Sequence, residues 1–379
     1  GYEEGVLPFK YLGVPLSSKK LTVAQCMPIV DRITERMKCW SAKLLSYAGR
    51  LQLIKAVVFG MQTYWAQIFV LPVKILKMID KACRVYLWTG EVGNSKKALV
   101  SWVRRPKSAG GMNIMDLKTW NRAAIIKLLW AMTEKKDSLW IRWVAIYYMK
   151  GMSGVCSIPK QATWIARKIL ESRQWILNNH NLQGNLRDRL QQVMEKGSYS
   201  IKKMYKLLRP QFQKVNWKSI VQHPMIHPRH RFILWLAAWR RLATADRLQR
   251  IGINCPQECI FCNSCDETME HLYFGCPVTR GLWSRMLHWM GIRRNIDVWN
   301  EELRWMNEMA KKKNGKAGIV SCCFGMTVAV IWRERNKMRF QATRFNADVV
   351  SKEIAIHVHI KGRSNVKWQT QLSRWDIAP

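Results

Sequence analysis

The densest group of chemistry-bearing residues is CPQECIFCNSCDETMEHLYFGC, residues 255–276, which holds five of the 11 cysteines in 22 positions. Within it Cys259, Cys262, His271 and Cys276 follow the spacing C-x2-C-x8-H-x4-C. A tight turn across a two-residue gap aims two thiolates at one point. His271 and Cys276, across roughly a helical turn and its exit, supply two further corners of a tetrahedron. Three thiolates and one imidazole suit Zn2+, a borderline-soft ion, and four protein ligands close its shell. No position is left for a catalytic water, so the metal is expected to be structural, replacing a core that a loop-rich segment cannot build. Cys255 and Cys265 are the alternative ligands. Cys265 follows Cys262 too closely to serve easily beside both members of the pair, and both are read as non-ligands. The charged residues between Cys255 and His271 are Glu258, Asp266, Glu267 and Glu270, so the loop itself is a poor seat for a polyanion.

Positive charge stands just upstream. Residues 199–250 carry 12 Lys or Arg against one acid, Asp246. The run RHRFILWLAAWRR, residues 229–241, has an apolar middle and basic ends, and Arg247 and Arg250 follow on a helix that Thr244 can cap and Gly252 can end. Burying the apolar stripe leaves Arg229, Arg231, Arg240, Arg241, Arg247 and Arg250 at the rim with Trp239, where guanidinium and indole stack or meet phosphates. These seven are the expected nucleic-acid-binding residues; the competing reading is a solvated helix face with incidental charge. Over the whole chain, 63 Lys and Arg against 25 Asp and Glu leave a net charge of +38 and a pI near 10.2. Like charges on one surface repel, so such an excess implies a polyanionic partner, with nucleic acid ahead of an anionic membrane.

The remaining candidates are weaker. His223, His227 and His230 (HPMIHPRH) are separated by two prolines, with no thiol or carboxylate nearby, and read as a basic loop or helix cap. His357 and His359 (HVHIK) alternate as on a strand and are read as incidental surface. KKKNGK, residues 311–316, is a solvated loop that can also touch phosphate or act as a targeting patch. Neither a phosphate-binding glycine loop nor a local Ser/His/Asp signature is present, and no small-molecule substrate is expected.

The elements that must position these groups are mostly helical. Residues 6–16 (VLPFKYLGVPL) read as one or two short strands around a turn. Val23, Met27, Val30, Ile33, Met37 and Trp40 share one helical face, with Pro28 kinking or starting that helix. Leu51 to Ile68 carry a second stripe with Ser46 as N-cap, and a third helix starts near Pro72. A tryptophan-rich helical region spans about residues 116–149, residues 151–160 form a linker, and a short helix covers about residues 162–177. Of two uncharged stretches, residues 56–73 are interrupted by polar residues and proline and read as a buried helix, and residues 318–332 are too short to cross hydrocarbon. No membrane span is expected. The six scattered cysteines resemble buried thiols and point to a reducing, intracellular setting, nucleus or cytoplasm. The start at Gly1 without an initiator Met is expected of a fragment, and 379 residues predict two or three domains.

FKYLGVPLSSKK, LSYAGRLQLIK, YWAQIFVLP, YLWTG, GGMNIMDLKTWN, KDSLWIRWV and FILWLAAWRRLATADRLQR, with the Cys/His cluster and IWRERNKMRF, resemble the C-terminal half of plant LINE-type (non-LTR) retroelement reverse transcriptases. The resemblance runs over essentially the whole chain and is most specific in the reverse transcriptase zinc-binding domain. It implies the end of the palm near residues 9–16, thumb and connector helices after it, and nucleic-acid handling during target-primed reverse transcription, with the polymerase palm upstream. It does not by itself imply activity: such polymerases need paired Asp to hold two Mg2+ ions, and no Asp-Asp pair occurs here. Some relatives carry a ribonuclease H domain after the zinc domain. Residues 300–379 have only Asp348 and Asp376 as aspartates, with 31 residues after Asp348, and that activity is not expected.

The fold expected is mainly α: a palm-end and thumb/connector-like region at 1–150 with a short N-terminal β segment, linker and short helices at 151–198, a small CCHC zinc-binding domain at 199–290, and a helical tail at 291–379. The function expected is a zinc-stabilised fragment that grips template RNA or target DNA without the polymerase site. The alternatives are a host-recruited structural RNA-binding component of a ribonucleoprotein, or a decayed retroelement copy.

Overall fold

A computed structural model describes residues 10–11, 14–15, 20–39, 45–58, 60, 70–91, 105–134, 142, 162–373 and 375. The chain forms two compact units that do not follow its linear order. The first gathers Gly1–Leu45, Arg50–Ala98 and Ile114–Gln211; the second gathers Ser46–Gly49, Leu99–Asn113 and Phe212–Pro379. Described secondary structure is mainly helical with two small two-stranded sheets, as the sequence pattern implied.

In the first unit, β1 (Lys10–Tyr11) pairs antiparallel with β2 (Val14–Pro15). Helix α1 (Val23–Cys39) buries Cys26, Ile29, Val30, Ile33 and Met37. It starts before Pro28, through a reciprocal cap in which Gln25 N donates to Thr22 Oγ1 at 3.2 Å and Thr22 N donates to Gln25 Oε1 at 2.9 Å. Helix α2 (Tyr47–Leu53), whose first three residues count with the second unit, has Ser46 at its start, as expected, with Gly49 N donating to Ser46 Oγ at 3.3 Å. The stripe continues through a wide helical turn at Ile54–Val58 with Ile54 buried, while Met61, Trp65 and Ile68, and most of residues 56–73, lie outside the described residues. Pro72 directly precedes α3 (Val73–Thr89), and Gly90 ends it in the left-handed region at φ 80°. Helix α4 (Leu117–Thr133) is capped by Asp116, and α5 (Trp164–Leu177) by Thr163. These two pack with α6 (Leu186–Gln191), the hairpin β3 (Met194–Glu195) with β4 (Ser198–Tyr199), and α7 (Ile201–Leu208) around Ile126, Ile169, Ile176, Val193 and Met204. Residues 135–141 and 143–161, including Trp140, Trp143 and the expected linker, lie outside the described residues. Of the scattered cysteines, Cys26, Cys83, Cys322 and Cys323 are buried, whereas Cys39 is exposed at the end of α1.

The second unit is built on one helix. After α8 (Lys218–Val221), α9 (Pro228–Ala238), α10 (Ala245–Arg250), α11 (Pro277–Trp289) and α12 (Trp299–Lys311) comes α13 (Gly315–Gln341), flanked by α14 (Ala347–Gly362) and α15 (Val366–Leu372). The uncharged stretch 318–332 is thus part of a 27-residue helix long and apolar enough to cross a membrane, because the helix continues through Arg333–Gln341. Of its most apolar window 89% is buried inside the protein, the environment of a core helix. It is apolar all round because α9, α12, α14 and α15 cover it. Of residues 311–316, Lys311 ends α12, residues 312–314 form the connection and Gly315 and Lys316 start α13, with Asn314 accepting from Ala317 N at 2.8 Å as N-cap. HVHIK belongs to α14, not to a strand: Ile354, Ala355 and Val358 bury one helical face, a period that three alternating residues cannot reveal.

Glycines set the closest approaches. A Cβ on Gly315 would overlap the carbonyl oxygen of Lys367, and one on Gly318 would sit 2.7 Å from Trp368 Nε1. Helix α15 therefore seats its buried Trp368 directly on the α13 backbone. Gly315→Ala should force α15 away and cost about 1–3 kcal/mol, while Gly281→Ala, where a Cβ on α11 would meet nothing within 4 Å, should be neutral or stabilising by about 0.4–1 kcal/mol. Urea unfolding of the two variants checks this.

Candidate metal centre and basic surface

The metal centre is assembled from two pieces of backbone. In the first, Glu258 pairs with Asp266 in a single antiparallel bridge, Cys259 N donates to Cys265 O at 2.8 Å, and Glu267 N donates to Gln257 O at 2.7 Å. Asn263, left-handed at φ 51°, turns the chain, and its N–H donates to Cys259 O at 2.8 Å. This tight loop holds Cys259 and Cys262 on one side. In the second, residues His271–Gly275 form a wide turn whose start is held by Thr268 Oγ1 accepting from His271 N at 3.1 Å. Cys276 N donates back to His271 O at 2.6 Å, and Cys276 then stands at the N-terminus of α11, followed by Pro277 at the first helical position.

One ligand atom from each of Cys259, Cys262, His271 and Cys276 lies within 4.8 Å of all the others. Around tetrahedral Zn2+, with bonds of roughly 2.0–2.3 Å, such atoms are about 3.5–3.8 Å apart, so closure requires shifts of about 1 Å. Cys262 Sγ and His271 Nε2 are 3.2 Å apart. The protonation pattern fits a metal. A hydrogen bond from Cys259 lowers the Cys276 pKa; burial opposes this, and the Thr279 and Val278 N–H groups assist. The same hydrogen bond, with burial, raises Cys259. A cation seated here takes the place of that shared proton. Burial lowers the His271 pKa, with Glu267 opposing, so the imidazole is neutral and able to ligate near pH 7. When bound, Zn2+ supplies cross-linking rather than chemistry, since the four side chains close its shell. Cys255, whose Sγ lies 3.9 Å from Ala245 O, and the exposed Cys265 stand outside the group.

The centre is also latched to the core. Glu267, fully buried, accepts from Arg335 Nε at 3.0 and 3.1 Å, from Arg335 Nη2 at 2.5 Å, from Arg339 Nη2 at 3.1 Å and from Ala245 N at 2.9 Å. Arg339 also donates to Pro256 O and Glu258 O at 3.3 and 3.0 Å. Sequence reasoning took Glu267 for one of several loop acids; no local signal distinguishes it, because Arg335 is 68 residues away. Phe274, left-handed at φ 75° and fully buried, packs its ring 6.0 Å from Trp283 and 6.1 Å from Phe324.

The seven predicted nucleic-acid residues take different positions. Arg229 starts α9 and Arg241 follows it; both are exposed, and no side-chain partner is seen for either among the described residues. Arg231 is half-buried, its Nη2 donating to Ile226 O at 2.9 Å. Arg240, exposed in the left-handed region at φ 52°, pairs with Glu270 and donates to Asn300 Oδ1 at 3.2 Å. Arg247 donates to the carbonyls of Arg241 and Leu242, bracing the turn before α10, and Arg250 pairs with Asp246 at 2.5 Å. Thr244 precedes α10, but its hydroxyl donates to Asp246 Oδ1 at 2.6 Å instead of capping backbone, and Gly252 follows at φ 80°. Trp239 is a packing residue: its Nε1 and that of Trp235 both donate to Gly110 O at 2.8 Å, and its ring meets Trp217 edge-on at 5.4 Å. Gly110, at φ 73°, leaves no room for a Cβ beside Trp217 and Trp239.

A family model described as zinc-binding in reverse transcriptase matches residues 199–283. That segment is similar to the zinc-binding domain of reverse transcriptases. The chain is also 24% identical, over 440 residues covering 93% of this chain and 70% of the relative, to the Arabidopsis thaliana protein named "Putative ribonuclease H protein At1g65750". The matched segment includes all four ligands of the Cys3His group, which identifies the group as a zinc site.

Purified chain is expected to carry about one zinc by elemental analysis, and Cys259→Ser or His271→Ala should lose it and melt the second unit at lower temperature, with the first unit's helices retained. Glu267→Gln should keep the zinc yet destabilise by about 3–5 kcal/mol in chemical denaturation, because Arg335 is left buried beside a neutral partner.

Proposed function

We propose that this chain is the nucleic-acid-gripping C-terminal half of a LINE-type retroelement reverse transcriptase, in which zinc orders a basic helical surface and the polymerase site lies elsewhere. The observation that carries the reading is the Cys3His group inside a match to a reverse-transcriptase zinc-binding domain, in a chain with a net charge of +38. Lys and Arg that neutralise phosphates release counterions, so binding needs surface cations with free donors more than a particular sequence of bases. Arg229 and Arg241 meet that description best. Template RNA or target DNA is the proposed ligand, and a reducing intracellular compartment, nucleus or cytoplasm, the proposed setting.

The Arabidopsis relative's name mentions ribonuclease H. Residues 300–379 of this chain are occupied by α12–α15 where described, and Asp348 is paired with Arg285. We assign these residues to packing around α13 rather than to phosphodiester cleavage.

Affinity for a labelled RNA or DNA should fall steeply as salt rises, and the triple variant Arg240→Gln/Arg241→Gln/Arg247→Gln should flatten the slope of log affinity against log salt, with Arg241→Gln alone giving about one phosphate's share, a slope change of about 1. An unchanged slope in filter binding rejects this surface.

A further inference from the structure

Three imidazoles distant in sequence meet in the second unit. His227 caps α9, its Nδ1 accepting from Arg229 N at 3.3 Å; His230 lies in the first turn of α9; His357 is on α14. Their ring centroids are 5.3 Å (His227–His230), 5.0 Å (His230–His357) and 6.3 Å (His227–His357) apart. They line a cleft of about 720 Å3 between α9, α13 and α14, a volume that suits a ligand of nucleotide size.

The cleft is rich in cations and short of acceptors. From α9, Arg229 and Arg231 face the imidazoles; from α13, Arg333, with Lys337 and Glu334 beside it; from α14, Glu353 and Lys361. Both acids are already engaged. Glu353 takes a two-pronged bond from Arg333, with both distances 2.5 Å, and Glu334 accepts from Arg333 at 2.7 Å and Lys337 at 3.0 Å. His357 Nε2 is buried with no hydrogen-bond partner among the described residues, and the exposed Arg229 lines the same cleft. Burial first, and then the neighbouring positive charge, hold all three imidazoles below their ordinary range, His230 down to about 3. What would satisfy such a site is an anion with several acceptor oxygens. Phe340 lines the same cleft with its side chain largely in solvent, the residue being 76% exposed. An exposed ring beside cations is the arrangement on which unpaired bases stack.

We propose that this cleft binds one nucleotide of a single-stranded nucleic acid, with the phosphate taken by Arg229, His230 and His357 and the base stacked on Phe340. The site rests on the reading of this chain as a nucleic-acid binder and adds to it a contact away from the α10 arginines. Binding is coupled to protons. The phosphate supplies the charge that the imidazoles lack, so the complex holds a proton that the free protein does not, and affinity rises as pH falls. Uptake of one proton on binding raises affinity by at most tenfold for each pH unit, so a gain of roughly tenfold is expected between pH 8 and pH 6.

The test uses the full zinc-loaded chain and a fluorescently labelled 12-residue oligouridylate, with anisotropy measured at fixed salt at pH 8 and pH 6. The wild type should bind about tenfold tighter at pH 6. The double variant His230→Gln/His357→Gln should bind with affinities within about twofold of each other at the two pH values, while His288→Gln, an exposed histidine on α11, should keep the full dependence. Phe340→Ala should weaken binding by about fivefold or more at both pH values. Arg229→Gln, at an exposed position, covers the case in which the double variant does not fold, and should reduce both the affinity and its pH dependence. A pH dependence retained in the folded double variant, or in Arg229→Gln, or binding unaffected by Phe340→Ala, overturns the cleft and leaves nucleic-acid binding by the chain standing. No binding by the wild type at either pH overturns both.

Discussion

The carboxylate of Glu267 joins three parts of the second unit that lie far apart along the chain. It accepts from the N-terminus of α10 through Ala245 and from the far end of α13 through Arg335 and Arg339, while its own backbone closes the loop that carries Cys259 and Cys262. A charge with no solvent exposure persists only when it is paired and its lone pairs are filled, and here both conditions hold. The arrangement makes the register between loop and helix specific, because a shift of one turn along α13 would strand both the carboxylate and Arg335 in the interior.

The metal centre and this ion pair divide the work. Zn2+ binding closes a loop too small and too polar to bury a core, and Glu267 transmits that closure to α13. Behind it, Phe274, Trp283, Trp299 and Phe324 pack ring against ring, so α12–α15 complete the core of the unit that holds the zinc ligands instead of forming an appendage. The left-handed backbone at Phe274 is strain of about 1–3 kcal/mol, tolerated because the aromatic contacts and the Cys276 N–H to His271 O bond specify that turn from both sides.

The arginines show how a charge count overstates a binding surface. Arg231, Arg240, Arg247 and Arg250 each have acceptors within the protein, two of them backbone carbonyls that hold the α9–α10 turn in shape. On sequence grounds they group with Arg229 and Arg241 because Arg229, Arg231, Arg240 and Arg241 end one apolar run and Arg247 and Arg250 follow it closely. Which side chains remain available to a partner depends on acceptors elsewhere, such as Glu270, Asn300 and the Ile226 carbonyl, and no local pattern reports those.

Local rules account for much of what was readable in advance. The Cys3His spacing, the helix starts at Ser46 and Pro72, the helix end at Gly252, and the mainly helical class follow from metal geometry, capping chemistry and the 3.6-residue period, all of which act within a few residues. Two readings failed for want of span: HVHIK shows two alternations where a strand needs more, and the uncharged stretch 318–332 hides a longer helix because Arg333 and Glu334 interrupt the hydropathy without interrupting the backbone. The Glu267 latch, the packing of Trp239 on Gly110, the seating of α15 on glycines and the meeting of His230 with His357 needed the folded chain, since each joins residues far apart along it and depends on shape and distance that residue types alone do not encode.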